Sequence, residues 1–317
     1  MTAFVVRRLL GAIPLLLLVT FISYALMGLS PGGPGAILGQ QARGMTPAVR
    51  ANFIAQLGLD KPWYVQYAFW LGALLHGSLG YSYVDNRPVF AKILERLPIT
   101  LELLGLSLVV TLAIAIPVGV RAATKRGSWF DYLSSAIAFT AYATPVFWLG
   151  IVLVDVFAIH LRWFPTSGIA SLGGGGLVDR LRHLVLPVAA LSIVSFASWM
   201  RFQRGAMIEA LSAPYVRTAR AKGLRESLVV SRHALRNALI PTITLLGLTL
   251  PGLVGGAYFI EYVFSLPGMG LLGIDSVFGR DYPTVMGITL LSAVLVIAGN
   301  LLADVLYAVA DPRIRYD

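Results

Sequence analysis

A chain of 317 residues that is 57% hydrophobic, only 13% charged and of mean hydropathy +0.77 cannot hide its apolar surface in a water-soluble fold; a soluble domain carries about 25% charged residues. A formal net charge of +10 would suggest nucleic acid in a soluble protein, but no aromatic-basic interleaving marks a nucleic-acid groove. The absence of cysteine excludes disulfides, thiolate metal sites and cysteine nucleophiles.

The first stretch, MTAFVVRRLLGAIPLLLLVTFISYALMGL, has a basic start and an apolar run longer than the ~7–15 residues of a signal-peptide core. It reads as a retained first span. Five further windows reach the roughly 20 apolar residues that a span requires, at about 99–120, 132–158, 184–204, 239–262 and 283–309. Each is expected to be helical, because backbone in lipid must satisfy its own hydrogen bonds. With the N-terminus inside, the inner segments hold fifteen Lys or Arg and the two short outer loops hold four, Arg162, Arg180, Arg182 and Arg280. That bias places both termini in the cytoplasm.

The connector 30–98 then faces outward. It opens with SPGGPG and continues through LGLDKPWYVQYAFWLGALLHGSLGYSY, whose Trp and Tyr suit partly interfacial helices. Two regions follow from this pattern: 1–98, the first span with the long outer connector, and 99–317, a five-helix core with a cytoplasmic loop at about 205–239. SLGGGG at 171–176 lacks a following Gly-Lys-Ser/Thr and is expected to be a loop rather than a phosphate cradle.

Chemistry-bearing residues are sparse. Glu102, after Pro98, is expected in the first turn of the second span, where an acid suits the helix dipole. Asp155 and Asp304 sit in no Gly-x-Gly-Asp setting and read as polar packing or arginine partners. His76, His160, His183 and His233 form no His-Glu-x-x-His pair, so neither a catalytic centre nor a metal site is expected. No Walker A sequence occurs, so ATP hydrolysis is not expected of this chain. The fifth window reads LPGLVGGAYFIEYVFSLPGMG. Pro251, Gly252, Gly255 and Gly256 are expected to loosen or bend the helix, and with Glu261 they are candidates for a pathway or gate, at even odds with plain packing.

The segment YVRTARAKGLRESLVVSRHALRNALIP, residues 215–241, interrupts the apolar chain with six Lys or Arg and a single acid, Glu226. Pro214 marks a helix start and Gly223 a stop. A second helix is expected to follow, with Leu224, Leu228, Leu235 and Leu239 as its apolar stripe. Positive-inside charge explains the arginines. A short, sharply ended helix at the tip of the loop further suits docking into a groove on a cytoplasmic partner.

These residues carry a resemblance. YVRTARAKGL is similar to the coupling segment of the membrane permeases of bacterial ABC importers, in its dipeptide/oligopeptide branch, first permease. In the family's Glu-Ala-Ala signature Ala219 and Gly223 agree, while Arg217 and Thr218 depart as that branch does; at the later Ile-x-Leu-Pro, His233 and Arg236 depart and Leu235 agrees. RRLL, LGLDKPWYVQY, RLPITLEL, HLVLPVAALS, VFSLPGMG, RDYPTVMG and ADPRIRY resemble family landmarks in the same order, and in SPGGPG Gly33 replaces an acid.

The resemblance implies an all-α integral membrane fold of the type I ABC importer permease class, with six transmembrane helices in a bacterial cytoplasmic (inner) membrane. It implies half of a translocation pore, completed by a second homologous permease as a heterodimer. Two ATPase subunits holding ATP and Mg would lie beneath, and an extracytoplasmic substrate-binding protein would deliver peptide. The chain itself would bind no cofactor, and besides these proteins it would meet only membrane lipid. Tyr215, Arg217, Thr218, Ala219, Arg220, Ala221, Lys222, Gly223 and Leu224 would dock on an ATPase, with Ala219 and Ala221 giving close approach and Arg217, Arg220 and Lys222 pairing with acids. The rival readings are a stand-alone secondary carrier or channel, which calls for a complete pathway in one chain, and a membrane enzyme, for which no catalytic cluster can be assembled.

Overall fold

The computed structural model describes residues 2–30, 58–171 and 175–310, together with positions 46, 48, 52, 54, 55 and 173. Among these the chain is helical, and the single strand-like feature is an antiparallel bridge between Tyr81 and Pro88. Its described residues divide into two compact units, one within Met1–Ile99 and Pro267–Ala298, the other within Thr100–Leu266 and 299–310.

In the first unit α1 (Thr2–Gly28) packs against α2 (Trp63–Leu75). Thirteen residues of helix extend about 20 Å, short of the ~30 Å hydrocarbon core, so α2 does not span. Its aromatic face meets α1 through Phe21 and Trp63, with ring centroids 5.5 Å apart, and Tyr67 stacks on Trp70. Gly77, at φ +80°, ends α2.

The following loop folds back onto Asp281, which is almost fully buried. Its carboxylate accepts from Ser82 Oγ at 2.5 Å, Thr284 Oγ1 at 2.6 Å and the Tyr83 backbone N–H at 2.9 Å. Lys92 Nζ lies 3.5 Å from Asp281 and 3.0 Å from Asp85. A buried carboxylate is tolerated when it is so fully hydrogen-bonded. In this unit α9 (Met269–Phe278) and α10 (Tyr282–Ala310) contribute Met269, Leu272 and Ile288 to an apolar cluster with Val89 and Ile93.

The second unit is organised around α6 (Leu177–Ser212), which packs most extensively on α8 (Leu235–Val263) and α4 (Trp129–Ala143). The long helix α3 (Val89–Thr124) approaches it closely. A Cβ at Gly119 would lie 2.8 Å from the Met200 carbonyl oxygen, so only glycine admits this contact. Ser192 Oγ donates to the Ser107 carbonyl at 3.0 Å, a bond that satisfies a hydroxyl inside an apolar layer. Bidentate pairs hold both ends of α6, Arg180 with Glu102 of α3 and Arg204 with Asp131 of α4, the latter at 2.6 and 2.8 Å.

Helix occupies all six windows expected to span, but the spans differ in form. Four described helices, Arg7–Gly28, Val89–Thr124, Leu177–Ser212 and Tyr282–Leu301, are long and apolar enough to cross a membrane. A bent pair makes a fifth if it is one span. The expected single helix at 132–158 is this pair: α4 gives way to α5 (Val146–Leu153), which continues as π-helix through Val154–His160, and the two halves meet at 101°. Pro145 is the physical cause, since it drives Thr144 into extended backbone, φ −84° and ψ 123°.

The second span begins at Val89 rather than about 99, because its first turns are stapled by the Asp281 network through Lys92. Glu102 is therefore mid-helix and serves as the partner of Arg180 rather than as a first-turn acid. Asp155 is exposed, 3.6 Å from His160 and not from an arginine. The side chain of Asp304 lies outside the described residues.

Gly119→Ala is expected to lower the thermal midpoint of the detergent-solubilised chain, at an overpacking cost of about 1–3 kcal/mol. Gly105→Ala, where nothing stands within 4 Å of a new Cβ, is expected to be neutral or to stabilise by up to about 1 kcal/mol. Thermal unfolding of the two variants side by side checks the order, and equal stability would contradict the close approach of α3 to α6.

Candidate functional site

The basic loop is built from the end of α6 outward. Ser212 closes α6, and Ala213 in extended backbone, φ −66° and ψ 148°, turns the chain. Pro214 occupies the first position of α7 (Pro214–Ala221), where its missing N–H costs nothing. The helix stops in a Schellman motif: Leu224 N–H reaches the Ala219 carbonyl at 3.4 Å and Gly223 N–H the Arg220 carbonyl at 2.9 Å. Gly223 has φ +76°, a left-handed conformation that other residues adopt only with strain. The expected short helix and glycine stop are both present.

α7 is amphipathic. Val216 and Ala219, three apart on one face, are buried. They enter a cluster with Met207 and Ala210 of α6, Ala123 of α3, and Val229, Ala234 and Ala238 on the way into α8. Small side chains dominate this cluster, which lets α7 sit close against α6 and the π-helical segment that leads into α8. The opposite face is exposed and carries Tyr215, Arg217, Thr218, Ala221 and Lys222.

Two of the expected docking roles change. Ala219 is turned into the chain's own packing and does not present a close-approach surface to a partner. Arg220 is engaged by Glu226 across the Gly223 turn, with bonds of 3.1 and 2.7 Å. The arginine hydrogen bond holds the Glu226 carboxyl below its ordinary 4.5. Both side chains are exposed, so the pair adds little to stability, but its bidentate geometry fixes the direction in which the chain leaves α7.

The second helix also differs from the leucine stripe expected of it. Leu224 and Leu228 are exposed and Leu235 and Leu239 only half-buried, while Val229, Ala234 and Ala238 are buried. The spacing of five between Val229 and Ala234 belongs to a π-helical turn, and Val229–Ala234 is π-helix leading into α8. A π turn adds a residue per turn and rotates the buried face away from a 3.6-residue extrapolation.

At the other end of α8, Glu261 is fully buried, and Thr100 Oγ1 donates to it at 2.6 Å. It stands beside the core residues Ile260 and Phe264 rather than on an open surface of this chain. The backbone of α8 runs as helix through Pro251, Gly252, Gly255 and Gly256, with no break where loosening was expected; the side-chain surroundings of 251–256 lie outside the described residues. Beyond Glu261 the chain does turn sharply, through Ser265 at φ +49° and on to Gly268. No group of three or more His, Cys, Asp or Glu suited to a metal occurs among the described residues.

Sequence reasoning missed three features of this site: the burial of Val216, the Arg220–Glu226 pair and the π turn. The i, i+3 spacing of Val216 and Ala219 was a usable signal for the first. The pair spans a glycine turn, so no helical spacing announces it.

Two family models together match most of the chain. The binding-protein-dependent transport system inner membrane component matches residues 115–316, and the N-terminal membrane component of such systems matches 1–104. The oligopeptide transport system permease protein AppB of Bacillus subtilis is 43% identical over 318 residues, covering 100% of both chains. The dipeptide transport system permease protein DppB of Escherichia coli is 39% identical over 338 residues, covering 100% of this chain and 99% of its own. Among solved structures, an inward-facing conformation of the MetNI methionine ABC transporter aligns with TM-score 0.57 at 18% identity, covering 69% of this chain and 96% of that one. An amino acid ABC transporter aligns with TM-score 0.52 at 15% identity, covering 71% and 95%; these likenesses speak for the fold, that of type I importer permeases. With a family model over well more than half its length and full-length relatives near 40% identity, this multi-pass chain belongs to the binding-protein-dependent transport system inner membrane components.

Proposed function

We propose that the chain is the transmembrane permease subunit of an ATP-driven peptide importer in a bacterial cytoplasmic membrane, and that α7 is its coupling helix. The observation that carries this reading is the two-sidedness of α7: one face rooted in α3, α6 and α8, the other free and basic. Membership of the family and the full-length match to oligopeptide and dipeptide permeases support the transport role and the substrate class.

In this reading a second homologous permease completes the pore as a heterodimer. Two ATPase subunits with ATP and Mg lie against the cytoplasmic face, and an extracytoplasmic binding protein delivers the peptide. The exposed face of α7 seats in a groove of one ATPase, where Arg217 and Lys222 meet acidic side chains and Tyr215 and Leu224 supply apolar contact. Arg220 remains with Glu226 and keeps the turn rigid. When the ATPases close, α7 moves as a body with its buried face. A packed interface switches between arrangements rather than deforming, so the displacement passes to α6 and the π-helical segment that leads into α8 and turns the cavity from one side of the membrane to the other. Glu261 and the Pro251–Gly256 stretch of α8 are placed near this pathway as part of the same proposal.

Ala219→Leu and Ala221→Leu separate the two faces. Ala219→Leu is expected to overpack the cluster and destabilise the chain by about 1–3 kcal/mol. Ala221→Leu is expected to leave the thermal midpoint unchanged and weaken co-purification of the ATPases. Gly223→Pro is expected to abolish peptide uptake while the chain still inserts. Thermal unfolding, pull-down and uptake in a host lacking the native permease read these out. Normal uptake by Gly223→Pro would remove the coupling assignment, and transport by the purified chain without ATP would put a stand-alone carrier in its place.

The Arg220–Glu226 pair gives a pH test. A carboxyl held below its ordinary value contributes order that is complete above that value and is lost as pH falls through the depressed one. The mobility of a nitroxide at position 222 is expected to stay constant from about pH 8 to about pH 5 and to rise only below the ordinary 4.5. Glu226→Gln is expected to show the mobile form throughout.

A further inference from the structure

A cavity of about 460 Å³ opens in the first unit, and the proposed coupling role makes no use of it. Its walls include Tyr24 of α1, Phe69 and Trp70 of α2, and Tyr83 of the loop that folds onto Asp281; Lys61 and Gln66 complete the polar part. Tyr24 lies four residues before the end of α1, about 6 Å along the axis. The cavity therefore sits near the membrane–water boundary on the side where α1 ends, and the non-spanning α2 forms one wall.

The chemistry of the lining is one-sided. Gln66 is spent within the wall: its Oε1 accepts from Tyr24 OH at 3.3 Å and its Nε2 donates to the Lys61 carbonyl at 2.7 Å. The Lys61 ammonium lies 4.4 Å from the centroid of the Phe69 ring and makes no ion pair among the described residues. Trp70 is 8% exposed, and its indole N–H has no hydrogen-bond partner among the described residues. Burial, with the Asp281 carboxylate second, pushes the Tyr83 phenol up to about 12, so it keeps its proton at any working pH. No carboxylate lines the cavity among the described residues. A buried donor left without an acceptor is unfavourable, and a cation that faces an aromatic wall and forms no ion pair among the described residues leaves room for an anion with an apolar body.

We propose that this cavity is a binding site for the phosphate-bearing headgroup of an anionic glycerophospholipid, with Lys61 meeting the phosphate and the aromatic walls of Phe69 and Trp70 meeting the glycerol and upper acyl region. The shared chemistry is a phosphate oxyanion with acceptor oxygens, which free phosphate would also supply. The boundary position and the apolar walls select the lipid. Trp and Tyr prefer this level of a bilayer, and the cation supplies the preference for negative headgroups.

Native mass spectrometry of the purified full-length chain in detergent, titrated with phosphatidylglycerol, phosphatidylcholine or inorganic phosphate, tests the assignment. Phosphatidylglycerol is expected to add one adduct that outlasts the others as detergent is stripped, with phosphatidylcholine weaker and inorganic phosphate absent. Lys61→Gln is expected to bind phosphatidylglycerol about tenfold more weakly, as for loss of one charge-assisted hydrogen bond. Lys61→Arg is expected to restore binding, and Arg162→Gln, which removes a cation from another loop, to leave it unchanged. Equal retention of both lipids, unchanged binding by Lys61→Gln, or an equal loss in Arg162→Gln would each overturn the proposal. Binding of inorganic phosphate at the same strength would make the site one for a free anion and overturn the lipid assignment.

Discussion

The seating of Val216 and Ala219 among Met207, Ala210, Ala123, Val229, Ala234 and Ala238 is the constraint on which the functional account depends. An eight-residue helix is too short to hold itself together in water, so α7 exists because its apolar face is buried. Five of the eight buried positions in the cluster are alanines, which bring backbones close and leave little rotamer freedom. A helix held this way has little independent motion. Whatever moves its exposed face moves the end of α6 and the π-helical segment that leads into α8.

Charged groups are handled in a consistent manner. Carboxylates that could not stay bare at a membrane are met by cations or several donors: Glu102 by Arg180, Asp131 by Arg204, and Asp281 by Ser82, Thr284, the Tyr83 amide and Lys92. Removing the partners of Asp131 or Asp281 would leave a buried carboxylate uncompensated, which is why these residues act as staples rather than as reactive groups. The first two lie near opposite ends of α6 and brace it against different neighbours, while its C-terminal end carries α7.

Much of this was legible beforehand. The spans announced themselves because about 20 apolar residues in a row have few other uses, and α7 did so because Pro214 and Gly223 are punctuation with a fixed physical meaning. The hidden parts were those set by tertiary contacts. Nothing local in VFAKILERLP says that helix begins at Val89, since the Lys92 bond to Asp281 lies 189 residues away in sequence. Nothing in VVSRHA announces a π turn, and one added residue was enough to move burial from the leucines to Val229 and Ala234. The family landmarks read through all of this because they are patterns of residues, not of contacts.

The chain contains no cysteine, so a single introduced thiol reports one position cleanly. The most direct test of the account is cross-linking from Thr218→Cys, on the exposed face of α7, in the assembled complex. The account predicts a cross-link to an ATPase subunit whose yield changes when ATP is bound, and none from Val216→Cys, whose thiol would lie inside the chain. No cross-link from position 218 to an ATPase, or equal yield from both positions, would contradict it.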